Sequence, residues 1–395
     1  MKSNNFPVFK FLKERDCCGC EACVTSCRFD AISMIRHEDG FYYPLFCEDK
    51  CRRCNKCITA CPQISNKSVT VVNRSYAGYS SDEELVKNSS SGGFFGLISE
   101  ELINKEHFVV YGVRWADDFS YAYHSKVEQA SDIPALRKSK YIQSRKNNVY
   151  LDVIDDLNHN KKVLFVGTPC EVAALDLLVN DSQKSNLFTI DFVCQGPTTE
   201  VAWQQFKQSL EKRKRGKTVF VDMRFSIGIW IPQFLKVVFD NKREYIDRLY
   251  ETAFGDSVRF YQREACFDCK YHLEKRVSDI TLGDFHGVNK ESSYFNESGT
   301  SIAISHTKKG DYLISLLEGK AVCLPVDYNE LVKHNPCLNI HWPKKEEYNA
   351  YRDFFHAKGV FGTSKLIIPF KRRLLRLLDY KKREKLFSLK RNNKE

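Results

Sequence analysis

Two cysteine runs constrain this chain more than anything else in it. Cys17, Cys20, Cys23 and Cys27 keep the spacing C-x2-C-x2-C-x3-C, and Cys51, Cys54, Cys57 and Cys61 repeat it, with Pro62 next in line. Three thiolates two residues apart can wrap one cubane through a short loop, and in paired runs the fourth cysteine of each ligates the other cluster. The spacing therefore predicts one 4Fe-4S cluster on Cys17, Cys20, Cys23 and Cys61. It predicts a second on Cys51, Cys54, Cys57 and Cys27. Zinc draws on two separated pairs of ligands, and two consecutive runs do not suit it. Cys18 and Cys47 are left over and read as small buried residues.

The spacing is that of bacterial ferredoxins. "CRFDAISMIR" and "GFYYPLF" read as the two strands of a ferredoxin hairpin, with Arg28 where proline is usual. Residues 1–68 are thus expected to form a dicluster module. The whole chain has 395 residues, enough for two or three domains. Its 43% hydrophobic and 28% charged content is that of a globular protein in water. No apolar run reaches the length of a membrane span. The opening "MKSNNFPVFKFLKERD" lacks the pattern of a secretory signal, so a cytoplasmic location is expected. Sixteen cysteines in that reducing compartment argue for metal or redox chemistry rather than disulfides.

The formal charge of +11 is uneven. From Phe361 to Glu395 twelve Lys and Arg stand against three acids, a net of +9, so the body is nearly neutral and nucleic acid is not an expected partner. Residues 346–395 are expected to form a basic tail. After Pro369 it reads as an amphipathic helix, suited to peripheral contact with the inner face of a membrane or with an acidic partner. A solvated helix packed on its own domain is the alternative.

From residue 74 the sequence reads as an α/β body in two parts, 74–155 and 156–345. "YAGYS" and "HFVVYGVRW" are predicted strands. Between them, "SSSGG" precedes an apolar periodic stretch from Phe94 to Ile103, a loop opening a helix. Such an N-terminus suits a phosphate or flavin edge, and serves equally as a plain cap. "SKYIQSR", from Ser139, adds a cation with polar neighbours. In "KKVLFVGTPCEVAALDLL" an apolar strand from Val163 meets a tight turn and a helix, with Cys170 at the turn. "LFTIDFVCQGPT" repeats the pattern with Cys194. Both cysteines fall just beyond the C-terminal ends of predicted strands, where open α/β sheets bind ligands. "CFDC" adds Cys266 and Cys269 ahead of a predicted strand in "DITLGDF". These four make a candidate third 4Fe-4S set. Four separate buried thiols, or a C-x2-C zinc half-site, are the alternatives that the residues leave open. Cys323 and Cys337 stand in weak contexts.

Taken in order, "SSSGGFF", "SKYIQS", "GTPCEVAAL", "DFVCQGP", "CFDCKY" and "SDITLGDFHG" resemble the beta subunit family of coenzyme F-420 hydrogenases and dehydrogenases. With the cysteine runs, the resemblance spans residues 15 to about 290. It implies an iron–sulfur flavoprotein: a ferredoxin-like dicluster module, an α/β flavin-binding body and a basic C-terminal helix. It implies that Ser91, Gly92, Gly93, Lys140, Gln143 and Thr168 contact FAD. It further implies that Cys170, Cys194, Cys266 and Cys269 hold a third cluster beside the flavin, with Asp284 and His286 at the active site. Gln195, Glu171 and His286 depart from the frequent histidine, glutamine and tryptophan, which leaves the substrate open. Of the many bacterial members that resemble this chain, some stand beside polysaccharide-building genes, which would place the reaction in polysaccharide biosynthesis.

On this reading single electrons come from ferredoxin or another redox protein, pair on FAD and leave as hydride to a small organic acceptor. The other reading is a non-catalytic electron-transfer subunit of a larger complex, marked by clusters without flavin. A degenerate scaffold in sugar assembly is argued against by the intact cysteines of both runs.

Overall fold

The computed structural model describes residues 5–65, 74–228, 230–271, 276–335, 338 and 345–361 of the chain. Cys337 and the basic tail from residue 362 onward lie outside the described residues.

The two cysteine runs fold into the same small unit, position for position. Each begins with a 3-10 turn, Glu14–Asp16 or Glu48–Lys50, that leads into the first cysteine. The chain then passes through a left-handed residue before the second cysteine, Gly19 at φ +68 and Arg53 at φ +53. A second left-handed residue follows it, Glu21 at φ +65 and Asn55 at φ +60. A one-turn helix closes each unit, Ala22–Thr25 or Lys56–Thr59. Between the units runs an antiparallel hairpin of β1 (Ile32–Arg36) and β2 (Tyr42–Phe46), with Ile32 opposite Phe46. This is the predicted hairpin. Phe6, Val8 and Ile32 form its small core, against which Cys23, Cys27, Cys57 and Cys61 pack.

The body is mixed α/β. Its strands in chain order are β3 (Arg74–Ser80), β4 (Val109–Trp115), β5 (Ala122–Val127), β6 (Val163–Val166) and β7 (Leu187–Phe192). Then come β8 (Thr218–Phe225), β9 (Phe234–Phe239), β10 (Glu244–Arg248), β11 (Ile280–Asp284), β12 (Ser301–Ser305) and β13 (Ala321–Pro325). Eight of them make one sheet in the order β13-β3-β12-β11-β7-β6-β4-β5. Its centre, β4, β6, β7 and β11, is parallel, and the outer strands are antiparallel. Parallel strands buried on both faces read as continuous apolar runs, which is why "VLFV" and "LFTI" were legible as strands. Successive residues point to opposite faces. Leu164 and Val110 meet Phe94–Glu106 on one side. Phe165, Val163 and Tyr111 meet the helices Val149–Asn158 and Pro169–Leu178 on the other.

The strands β8, β9 and β10 form a separate antiparallel sheet. It shares a core with the helices Glu200–Lys214, Ala253–Phe260 and Lys345–Lys358, and with Phe41 and Tyr43 of the hairpin. Tyr348, Tyr351 and Phe355 are buried there. Residues 346–361 therefore belong to the body's core, not to a tail that begins at 346. The apolar face of that helix has strong partners in Tyr261 and Phe260, and the basic residues come later in the chain.

The cysteine module is docked on the body. Arg263 is fully buried and donates to the carbonyls of Cys17 (2.9 Å) and Tyr42 (2.6 Å) and to Gln143 Oε1 (3.0 Å). Its guanidinium also lies over the rings of Phe41 and Tyr43. Gln143 Nε2 donates to the carbonyls of Cys18 (3.1 Å) and Gly19 (3.2 Å). A Cβ at Gly19 would stand 2.6 Å from Gln143 Nε2 and 2.7 Å from Arg263 Nη2, so glycine is required there by both φ and space.

Candidate cofactor site

The fold brings the cysteines into three groups. Cys23 has the thiols of Cys17, Cys61 and Cys57 around it. Cys20 has Cys61 and Cys23, together with Cys18. Cys61 thus lies beside the thiols of the first run. Cys57 has Cys27, Cys51 and Cys54 as its thiol neighbours, so Cys27 has crossed to the second run. Burial is the main cause that raises the Cys23 and Cys57 thiols above their ordinary range, and the neighbouring sulfurs raise them further.

The third group lies at the C-terminal edge of the large sheet. β6 and β7 are parallel neighbours, so the turns that follow them open on the same side. Cys170 follows β6 and Cys194 follows β7. Cys266 and Cys269 come from the turn after the helix Ala253–Phe260. Cys266 has Cys194, Cys269 and Cys170 as neighbours, and burial chiefly raises its thiol. Gly196, at φ +92, lets the backbone pass close by: a Cβ there would stand 2.9 Å from Cys266 Sγ. Among the described residues no three His, Cys, Asp or Glu side chains converge as one metal ion needs. A four-iron cage spaces its thiolates around a larger body, and these groups suit that donor set better than a zinc half-site.

All four of these cysteines line one cavity of about 870 Å³, within the range of cofactor sites. Ser91 and Gly93 line it too, as do Lys140, Gln143, Thr168, Asp284 and His286. Gly93, at φ +88, caps the helix Phe94–Glu106. Ser91 Oγ donates to the carbonyl of Thr300 (2.7 Å). Gly92 does not line the cavity: a Cβ on it would meet the carbonyl oxygen of Gly78 at 2.4 Å. It lets the turn lie flat on β3 instead of facing a ligand. The side chain of Gln143 is committed to Cys18, Gly19 and Arg263, so it joins the module to the cavity wall.

Lys140 also differs from the expectation of a cation aimed at a ligand. Its ammonium donates to the carbonyls of Ala135, Leu136, Arg137 and Lys138, at 2.8 to 3.3 Å. Burial draws its pKa down to about 7, Asp222 opposes this, and Arg114 adds to it. Thr168 completes a capping box with Glu171, and its Oγ1 lies 3.2 Å from Cys170 Sγ. Glu171 forms a buried pair with Lys146 (2.5 Å). Burial would raise Glu171, but Lys146 and then His124 outweigh it and hold the carboxyl at about 2. A carboxylate can stand where glutamine is frequent because Lys146 supplies its counter-charge.

At the acid end of the cavity, Arg224 on β8 binds Asp284 Oδ2 (2.7 Å) and Tyr141 OH (3.0 Å). It also donates to the carbonyl of Ser90. His286 Nε2 lies 3.6 Å from Asp284 Oδ2, and its ring stacks on Trp230 at 5.9 Å and 6°. Burial lowers the pKa of His286, against the pull of Asp284, so the imidazole is neutral at neutral pH. Arg224 and Trp230 carried no signal in the sequence, because each stands alone with no spacing pattern around it.

Cys18 is the clearest omission. Its thiol lies within hydrogen-bonding reach of both Cys20 and Cys170, and it lines the cavity. It sits where the first thiol group meets the third. The doubled "CC" was the only sequence signal for it. Cys47 is exposed and Cys323 is partly buried on β13, where burial raises its thiol to about 11.

Residues 160–324 match the sequence profile of a family described as the C terminus of the coenzyme F420 hydrogenase/dehydrogenase beta subunit. That segment runs from β6 through β13 and carries the whole third cysteine group. A solved chain of the F420-reducing [NiFe] hydrogenase complex from Methanosarcina barkeri is similar at 15% identity and a TM-score of 0.48. The match covers 75% of this chain and 96% of that one. No curated protein matches this chain by sequence.

Proposed function

We propose, on the match of residues 160–324 to the C-terminal family of the coenzyme F420 hydrogenase/dehydrogenase beta subunit, that the chain is an iron–sulfur flavoprotein oxidoreductase. Cys17, Cys20, Cys23 and Cys61 would hold one 4Fe-4S cluster. Cys27, Cys51, Cys54 and Cys57 would hold the second, and Cys170, Cys194, Cys266 and Cys269 the third. The cavity would take FAD, with Ser91 and Gly93 at the helix N-terminus and Thr168 near Cys170. A flavin supplies the conversion between single electrons and a hydride pair that clusters cannot make.

One observation carries this reading: a single cavity is lined both by the thiol quartet and by the Ser/Gly turn that opens Phe94–Glu106. The chain's own groups have clear tasks there. Arg224 holds Asp284 and the Ser90 carbonyl in one place, which fixes the turn against the acid end. Asp284 and the Trp230 ring orient His286. His286 Nε2 is the atom that takes or gives a proton as an organic acceptor is reduced or oxidised.

Anaerobic purification with iron, sulfide and flavin quantitation and electron paramagnetic resonance tests this. About twelve iron atoms and one FAD per chain are expected, from three four-iron clusters. About eight iron atoms without flavin would leave a dicluster carrier and sink the enzyme.

A further inference from the structure

The two cysteine units share one backbone course, yet they face opposite environments. In the inner unit the positions between the first three cysteines are turned to the body. Cys18 reaches Cys170, Gly19 packs on Gln143 and Arg263, and Ala22 is fully buried. Glu21 accepts from the Lys146 amide at 3.2 Å. The second cysteine of that unit, Cys20, is buried. In the outer unit the matching positions are Arg52, Arg53, Asn55 and Lys56, and all four are exposed. Cys54, the counterpart of Cys20, is exposed too, and it is the one exposed thiol among the eight of the two runs. Arg52, Arg53 and Lys56 have no ion pair among the described residues.

We infer that the outer loop, Cys51 to Cys57, is the docking site for an acidic one-electron carrier protein. The inference rests on the dicluster reading and goes beyond it by fixing the face and the charge of the partner. The inner loop shows what this backbone does when it meets a protein surface: its four inter-cysteine positions become contacts and its second thiol is covered. The outer loop has the same shape and lacks the cover. It carries three cations within five residues, and Arg53 is held at a left-handed φ that few arginines adopt. A surface of that sign steers an acidic partner to the most accessible thiol of the module. Glu48 and Asp49 precede the loop, but Lys50 adjoins it, so four cations stand against two acids from Glu48 to Lys56.

The holoprotein is titrated anaerobically with an acidic plant-type [2Fe–2S] ferredoxin as the probe, at low and at moderate salt. Binding is expected to weaken steeply with salt. The double variant Arg52→Glu/Arg53→Glu is expected to weaken it by about ten-fold or more, and Lys56→Glu by a smaller factor in the same direction. Lys212→Glu, at the far end of the helix Glu200–Lys214, is expected to change nothing. Iron content and resonance spectra of each variant are measured alongside, so a variant that has lost its cluster is recognised and Lys56→Glu decides. Unchanged affinity in both loop variants, or no binding by the wild type at low salt, overturns the inference. A single-stranded DNA oligonucleotide that binds as tightly and competes with the probe overturns it as well. A wild type without iron sinks the dicluster reading itself, and that result is distinguishable from an iron-loaded protein whose binding ignores the loop.

Discussion

At the scale of residues, the cysteines were legible because the two runs repeat one spacing, and that spacing brings their thiols together in the fold. Their polar supports were not. Arg263, Gln143 and Arg224 are single residues whose partners lie far away in the chain, and no periodicity marks them. Gly19 is where both levels meet. Alanine there would take a strained φ and place a methyl against two side chains that are held by hydrogen bonds. Gly19→Ala is therefore expected to cost about 2 kcal/mol, read as a lower midpoint in thermal unfolding of the holoprotein. Arg53→Gly at the matching outer position, where nothing crowds the loop, is expected to be neutral or slightly stabilising. A second residue-scale prediction concerns His306. Burial, and then Arg276, hold its pKa down to about 4. The folded value lies below the unfolded one of about 6.5, so the unfolded chain takes a proton that the fold refuses. Stability is thus full above about pH 6.5 and falls as the pH drops towards 4, with roughly 2 kcal/mol lost by pH 5. The shift in unfolding midpoint between pH 7 and pH 5 should be smaller in His306→Asn.

At the scale of elements, the strand–turn–helix of β6 and the strand–turn of β7 and β11 were readable, since apolar runs ended in Gly, Pro or Cys turns. Strand order was not, because it depends on pairing between distant segments: β3 lies between β12 and β13, far from β4 in the sheet. The β8–β10 sheet went unread as well, and with it the support for the acid end of the cavity. Arg224 is the link that β8 provides. Arg224→Met would leave the partly buried Asp284 beside the cavity without its guanidinium partner and release the Ser90 carbonyl. Breaking a buried pair from one side typically costs about 3–5 kcal/mol. We expect flavin retained through purification to fall several-fold, with part of it recovered in Arg224→Met/Asp284→Asn, which removes the stranded charge. Equal flavin content in wild type and Arg224→Met would show that the turn holds without this link.

At the scale of the whole molecule, the sequence suggested a module joined to a body, and the structure has the module built into the body's wall. Arg263 and Gln143 reach across to Cys17, Cys18, Gly19 and Tyr42. Tyr271 OH donates to the Pro62 carbonyl (2.8 Å), Thr199 Oγ1 to that of Gly40 (2.7 Å), and Tyr42 OH to Glu200 Oε1 (2.9 Å). Phe41 and Tyr43 sit in the core of the second sheet. Such contacts could not be read from a sequence, because each side looks complete by itself. They predict that the two parts do not separate cleanly. A chain lacking residues 1–73 would expose the Arg263 guanidinium, open the cavity where Cys18 closes it and uncover apolar surface that Phe41 and Tyr43 now fill. If each lost hydrogen bond is worth about 1 kcal/mol, the body should unfold several degrees lower. It should also hold less than the four iron atoms of one cluster, because the third thiol group would then face solvent. A tethered, independent module would instead leave a body of unchanged midpoint with four iron atoms intact. Thermal unfolding and iron content of the truncated chain, measured together, decide between them.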